Sequence, residues 1–277
     1  MMKPFKRVTR CLSLCLALVG SAQAMAECKP THTFETLTPG VLTVAAWVFP
    51  PYSIPGTGQA LGGVDGEIIK QIAARECLTI KVSVLDPSAA IQSVVARRAD
   101  VVIGDWYRTA ERGKVLGLSA PLYLDVMGII SPQGYAKVSE LEGKRVGTVQ
   151  GYLWVSDLKT VLGDDLVLYP NPVAMAQDLA SGRIEAGIDS HAVAVASQQK
   201  GAYKGASIKV SEPDPRVKAT EQPGQTSIPY MLSNVELGKA LDANIQALHG
   251  SGEIARILEA HGLDRQAADV GAPRLVE

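Results

Sequence analysis

The chain has 277 residues, 47% of them apolar, and a formal net charge of −1. That length can bury one large core or two moderate ones, and the charge balance excludes a basic nucleic-acid binder and an acidic disordered tail. Four cysteines are too few for a disulfide-dense mini-protein, and aromatics make up only 5% of the chain, so each ring can be asked what it does.

The first segment reads as a leader. Lys3, Lys6, Arg7 and Arg10 precede an uncharged run from Cys11 to Ala22, followed by two overlapping small-residue sites, Ala22-Gln23-Ala24 and Ala24-Met25-Ala26. A basic start, a short apolar stretch and small residues at −3 and −1 predict a secretory signal peptide over 1–26, cleaved after Ala24 or Ala26. The apolar run is too short to span a membrane. Leu14 is too large to precede the cysteine of a lipid-attachment box at Cys15. Removing the four basic residues leaves 23 Lys and Arg against 28 Asp and Glu, a charge near −5. Export predicts a periplasmic location. Cys28 and Cys77 are then the two thiols left in an oxidising compartment, and they are expected to pair.

Beyond the leader, short strands alternate with helices. Val41-Leu42-Thr43-Val44-Ala45 is a β-branched run that stops before Pro50-Pro51. Glu67 to Ala73 repeats apolar residues at helical spacing, and Ile80 to Val84 alternates as a strand. Ala89 to Arg98 predicts a helix, and Val101 to Gly104 a buried strand. The pattern restarts with a strand at Arg145 to Val149 and a helix after Gly151. Asn171-Pro172 predicts a capped helix ending at Gly182, and Glu185 to Asp189 predicts the next strand. A loop rich in Pro and Gly spans 211–225, then Asn234 and Ser251 are expected to start two last helices that stop at Gly250 and Gly262. Such alternation predicts an α/β fold with parallel sheets and helical crossovers. Met127 to Gly134 and Gln222 to Met231 read as crossings between two lobes, dividing the chain into 27–130 plus 229–277 and 131–228.

The order of motifs resembles the periplasmic solute-binding proteins of polar amino-acid ABC importers, family 3. The markers are Gly40-Val41-Leu42-Thr43-Val44, Pro50-Pro51-Tyr52-Ser53, Gly63-Val64-Asp65-Gly66-Glu67 and Arg108-Thr109-Ala110-Glu111-Arg112. They continue with Leu118-Ser119-Ala120-Pro121-Leu122-Tyr123, Leu141-Glu142-Gly143-Lys144-Arg145-Val146-Gly147 and Ser181-Gly182-Arg183-Ile184-Glu185-Ala186. The resemblance implies a type II two-lobed clamshell with two crossing strands that closes over a small molecule. It also implies delivery to an ABC permease, with no nucleic acid, cofactor or metal, by a monomer that is not an enzyme. In open α/β sheets ligands sit outside the carboxyl ends of the strands, so residues just after the strands are the candidates.

Arg112 matches the family arginine that holds a ligand carboxylate, because a planar guanidinium donates two parallel hydrogen bonds. Thr109 is expected to cap the same short helix. All three tryptophans, Trp47, Trp106 and Trp154, directly follow predicted strands, and Phe49, Tyr52, Tyr107 and Tyr152 lie in the same loops. Seven of the 13 aromatics beyond residue 26 are thus gathered in three loops. Phe49 matches the family ring that stacks on the ligand.

The chain departs from the family where small hydroxyl residues are usual, carrying Asp105, Tyr107, Tyr152 and Leu153. The family's amino-binding acid falls by counting at Ser190, and the nearest acid is Asp189, one residue early. A one-residue shift turns a strand side chain to the other face. The cation therefore falls to Asp105 or Asp189. An arginine, one or two acids and an aromatic box predict a carboxylate-bearing cationic solute: a basic or modified amino acid, an opine or a betaine. Two rivals remain open, a cyclohexadienyl-dehydratase-like enzyme using His191 near the cleft, and a ligand-presenting sensor module.

Overall fold

The structure, a computed structural model, describes Met1 and residues 28–276. The predicted leader, with Cys11 and Cys15, lies outside the described residues.

The apolar run at 41–45 forms the strand Val41–Ala46, paired in parallel with Thr79–Val84 on one side and Val101–Ile103 on the other. The helices Gly63–Arg75 and Pro87–Val95 make the two crossovers. Pro229–Met231 and Leu116–Leu118 add antiparallel strands and complete five. Leu42, Val44 and Val101–Ile103 are buried, as are Ile68, Ile69 and Ile72 of the first helix. Each such side chain contributes about 1.5–3 kcal/mol by leaving water.

A second five-stranded sheet runs Leu166–Tyr169, Val146–Val149, Ala186–Ser190, Met127–Ser131, Ser207–Val210. Its first three strands are parallel, Met127–Ser131 runs antiparallel to them, and Ser207–Val210, antiparallel to Met127–Ser131, returns to their direction. Met127–Ser131 was expected at the crossing but is wholly committed to this sheet, because all five of its residues are buried there. The crossing itself is shorter. Leu124–Asp125 pairs with Gly224–Gln225, and the same return strand pairs through Thr226–Ser227 with Trp106–Tyr107. The return crossing is thus hydrogen-bonded to the loop that carries two candidate rings.

The helix caps follow local chemistry. Asn171 Oδ1 accepts from the Ala174 N–H at 3.0 Å, with Pro172 at the first helical position. Asn234 caps Val235–Gly250 in the same way. Ser251 does not cap the final helix: Gly252, at φ +71°, turns the chain into Glu253–Ala260. Leu166–Tyr169, Ser207–Val210 and the helix His191–Gln199 were not among the predicted elements. The first two strands are only partly buried and lack strong alternation.

Cys28 and Cys77 are joined, with Cα atoms 5.7 Å apart. The bond ties the start of the described chain to the end of the first helix, where Glu76 accepts from the His32 N–H and from the Asn244 amide. With the cysteines 49 positions apart in sequence, replacing both by serine should lower unfolding free energy by about 3 kcal/mol, since the cross-link restricts the unfolded chain. Urea unfolding of oxidised wild type against the double variant measures this. Equal midpoints would show that the bond constrains nothing that folding must otherwise order.

Candidate functional site

The strand ends of the two sheets face one another across a cavity of about 310 Å³. Its walls come from three segments that directly follow strands. Trp47 and Phe49 follow Val41–Ala46, and their rings stack with centroids 4.0 Å apart. Gly104, Asp105, Trp106 and Tyr107 follow Val101–Ile103. Tyr152, Leu153 and Trp154 follow Val146–Val149 from the opposite sheet. Tyr152 presents its edge to both Trp47 and Phe49 at 6.0 Å. Trp154 closes the series, edge-on to Tyr152 at 5.1 Å and to Tyr107 at 6.1 Å. Edge-to-face and offset contacts are the preferred arrangements of aromatic quadrupoles, so the box is rigid in itself.

Hydrogen bonds fix the rings further. Trp47 Nε1 donates to the Gly104 carbonyl at 3.0 Å, and Trp154 Nε1 donates to Thr148 Oγ1 at 2.8 Å. Trp106 Nε1 is buried without a protein partner.

Arg112 lies in the short helix Ala110–Gly113, whose N-cap is Thr109 as expected: Thr109 Oγ1 accepts from the Arg112 N–H at 3.0 Å. The guanidinium stacks 5.0 Å over Trp106. Nη1 donates to the Tyr107 carbonyl at 2.7 Å, and Nη2 reaches across the cavity to the Gly151 carbonyl at 3.0 Å. Two of its five N–H donors are thereby used, leaving three for an anion. Burial pulls its pKa down to about 10, so it stays charged at neutral pH. A C-terminal strap braces this helix from outside. Val276 exchanges hydrogen bonds with Arg108 and Ala110, and Gln225 of the return crossing holds the carbonyls of Val270 and Ala272.

Four carboxyls lie in or behind the cavity. Asp105 lines it, at φ +61°, with one carboxyl oxygen buried and unpartnered. Burial, then the neighbouring Asp125, Asp65 and Asp189, hold its pKa well above the ordinary aspartate value. Asp65 accepts from the N–H groups of Gly104 and Asp105, both at 2.8 Å, and from the Tyr123 hydroxyl. Asp125 accepts from the hydroxyls of Tyr52, Tyr107 and Ser190. Asp189 accepts from the Tyr152 hydroxyl and the Ser190 N–H, and burial raises its pKa to about 7.

Eight of the ten predicted ligand residues line the cavity: Trp47, Phe49, Asp105, Trp106, Tyr107, Arg112, Tyr152 and Trp154. Tyr52 and Asp189 do not. The Pro50-Pro51 turn carries Tyr52 inward, where its ring stacks on Tyr123 at 4.9 Å. Strand parity removes Asp189: Ser190 is the residue that faces the cavity, and Asp189 stands behind Tyr152. His191, considered for acid–base chemistry, lies instead on a separate cavity of about 1,290 Å³ behind the crossing strands, together with Tyr52, Asp125 and His261. Ser190 and Asp125 joined the site without being among the predicted ligand residues. The family count pointed at Ser190, whereas Asp125 gave no local signal. Among the described residues no group of three or more His, Cys, Asp or Glu is placed to hold a metal ion.

This geometry, two α/β lobes with a cavity between their strand ends, is that of a type II solute-binding protein. Residues 42–264 match the model of the bacterial extracellular solute-binding proteins, family 3, and the chain belongs to that family. It is 25% identical over 195 residues to the lysine/arginine/ornithine-binding periplasmic protein of Escherichia coli K12, covering 68% of this chain and 72% of that one. It is 27% identical over 143 residues to the L-cystine-binding protein TcyJ of the same strain, about half of each chain at 50% and 54%. Among solved structures it is similar to an ancestral arginine-binding protein bound to arginine (TM-score 0.70, 25% identity, 80% of this chain and 97% of that one). It is also similar to the amino-acid ABC transporter substrate-binding protein AbpA of Streptococcus pneumoniae Canada MDR_19A bound to L-arginine (TM-score 0.71, 26% identity, 83% and 96%). The named relatives are solute-binding proteins rather than enzymes.

Proposed function

We propose that this chain is the extracytoplasmic solute-binding subunit of an ABC importer and captures a carboxylate-bearing, cationic amino acid or amino-acid derivative, betaines and opines included. The observation that carries this reading is the pairing of opposite charges inside one aromatic box: Arg112 with three free donors, and Asp105 with an unpartnered oxygen, both on the same cavity wall. Aromatic faces attract cations by roughly 0.5–2 kcal/mol per well-placed ring. Relatives named for lysine, arginine and ornithine binding support the same charge type.

Capture follows from the placement of contacts on both lobes. A solute seated on Arg112 and Asp105 touches the first lobe. Closure then brings Tyr152 and Trp154 of the second lobe against it, and the closed population rises by the differential affinity. The closed form presents itself to a membrane permease in the periplasm, with Leu124–Asp125 and Gly224–Gln225 as the hinge strands.

A thermal-shift screen against amino acids, opines, betaines and polyamines tests the reading, since a solute bound to the native state at a hundred times its Kd adds about 2.7 kcal/mol of stability. A rise in Tm with arginine, lysine or a betaine, and none with anionic or neutral amino acids, is the expected pattern. No response to any carboxylate-bearing cation would overturn it.

A further inference from the structure

The charges around the cavity do not balance. Asp65, Asp105, Asp125 and Asp189 converge on it from the first helix, the loop after Val101–Ile103, the outgoing crossing strand and the second sheet. Asp105 acts on one permanent cation, Arg112, whose guanidinium is half engaged by main-chain carbonyls. The other ionisable groups facing these acids are tyrosines. Tyr52 and Tyr107 donate to Asp125, Tyr123 to Asp65 and Tyr152 to Asp189. His191 faces Asp125 from the far side, and its burial pushes its pKa down, against the pull of Asp125.

Two of the carboxyls, Asp105 and Asp125, lie against each other. Like charges clustered in a buried site favour the protonated form of Asp105. The hydrogen bonds agree. Both oxygens of Asp125 already accept hydroxyl protons, from Tyr52 and Ser190 on one and Tyr107 on the other. Asp105 has a buried oxygen with no partner at all. The proton therefore sits on Asp105, the one of the two that lines the solute cavity.

Resting on the function proposed above, we infer that Asp105 is the specificity-determining acid of the cleft and that a cationic solute enters it in exchange for the proton Asp105 holds. A fixed positive charge beside Asp105 performs the neutralisation that the proton performs in the free protein, so Asp105 ionises on binding and one proton leaves to solvent. A solute with no positively charged group to place beside Asp105 cannot make that exchange and leaves Asp105 protonated. Asp189 also has a buried oxygen without a partner, but it stands behind Tyr152 and does not line the cavity, so the solute's charge meets Asp105 and not Asp189. The consequence is a solute that binds more tightly at higher pH and is released as the medium acidifies, with affinity changing by up to about tenfold per pH unit below the midpoint of the pair.

Isothermal titration calorimetry with L-arginine and glycine betaine as probes, in buffers of different ionisation heat, counts the proton. Wild type should release up to one proton per bound probe, and its Kd should fall as pH rises from 5 to 8. Asp105→Asn should bind with no proton released and a flat pH profile. Asparagine tolerates the left-handed backbone at this position, so the variant keeps the fold. Asp189→Asn should retain the proton release. Binding without proton release in wild type, or release that persists in Asp105→Asn, would overturn the inference and leave the proposed function standing. If neither probe binds and no carboxylate-bearing cation raises Tm, the function proposed above fails instead. The proton is then read from intrinsic fluorescence, because all three tryptophans of the chain line this cavity. A titration step above the ordinary aspartate range that Asp105→Asn removes and Asp189→Asn keeps would support the proton on Asp105, and its persistence in Asp105→Asn would refute it.

Discussion

Gly104→Ala should abolish solute capture and lower the unfolding free energy by roughly 2–6 kcal/mol, the sum of overpacking and backbone strain. Gly104 follows the strand Val101–Ile103 at φ +126°, a conformation L side chains rarely adopt. An added Cβ would fall inside the van der Waals envelope of the Trp47 indole nitrogen. That nitrogen cannot retreat freely, because it donates to the carbonyl of Gly104 itself and its ring is stacked on Phe49. The Gly104 N–H also donates to Asp65, so the main chain is held on the other side. Relief must come from pushing Trp47 into the cavity, which removes the space for the solute. Gly143→Ala is the control: its φ is +72°, but nothing lies within 4 Å of an added Cβ, so it should cost only about 1 kcal/mol of backbone strain. Urea midpoints and tryptophan emission of the two variants make the comparison. Equal losses would mean that strain alone, and not the packing of Trp47 on Gly104, governs the site.

The same residues show what the amino-acid order can and cannot reveal. Val44–Ala46 and Val101–Ile103 are buried on both faces, so their continuous apolar character announces strands, and the position of aromatic residues directly after them announces the cavity. Strand parity was equally readable: counting placed Ser190, not Asp189, at the family position, and Ser190 is the residue that lines the wall. Tyr52 shows the limit. Its loop is the right one, yet the turn at Pro50-Pro51 and the stacking on Tyr123, a residue 71 positions away, decide which way the ring goes. Asp125 carries no local pattern at all. Its importance arises because Leu124–Asp125 pairs with Gly224–Gln225 a hundred residues later and so brings the carboxyl between Tyr52, Tyr107 and Ser190. The C-terminal strap is silent for the same reason, since its role rests on hydrogen bonds to Gln225 and Arg108 rather than on any periodicity. Short-range order writes elements and their edges. Contacts between distant segments write the polar interior.

Arg112→Ala should weaken binding of the solute that stabilises the wild-type chain by about a hundredfold or more, corresponding to one or two charge-assisted hydrogen bonds of roughly 1.5–3 kcal/mol each. Two separate losses contribute. The first is the carboxylate anchor, for which three guanidinium donors remain after the bonds to Tyr107 and Gly151. The second is closure itself. The bond from Nη2 to the Gly151 carbonyl spans from the first lobe to the second, so the arginine favours the closed form even before the solute is counted. Arg112→Lys separates them. Lysine keeps a positive charge over Trp106 but has no planar fork, so it can serve the carboxylate or Gly151 and not both. Its affinity should fall between wild type and alanine, by roughly tenfold, the value of one lost bond. Small-angle scattering of the solute-free proteins should show Arg112→Ala more expanded than wild type, because the cross-lobe bond is gone. Calorimetry supplies the affinities. An alanine variant that binds as tightly as wild type would remove Arg112 from the site, and with it the claim that the solute carries a carboxylate. A variant that binds weakly but scatters like wild type would assign the whole effect to the anchor and none to closure.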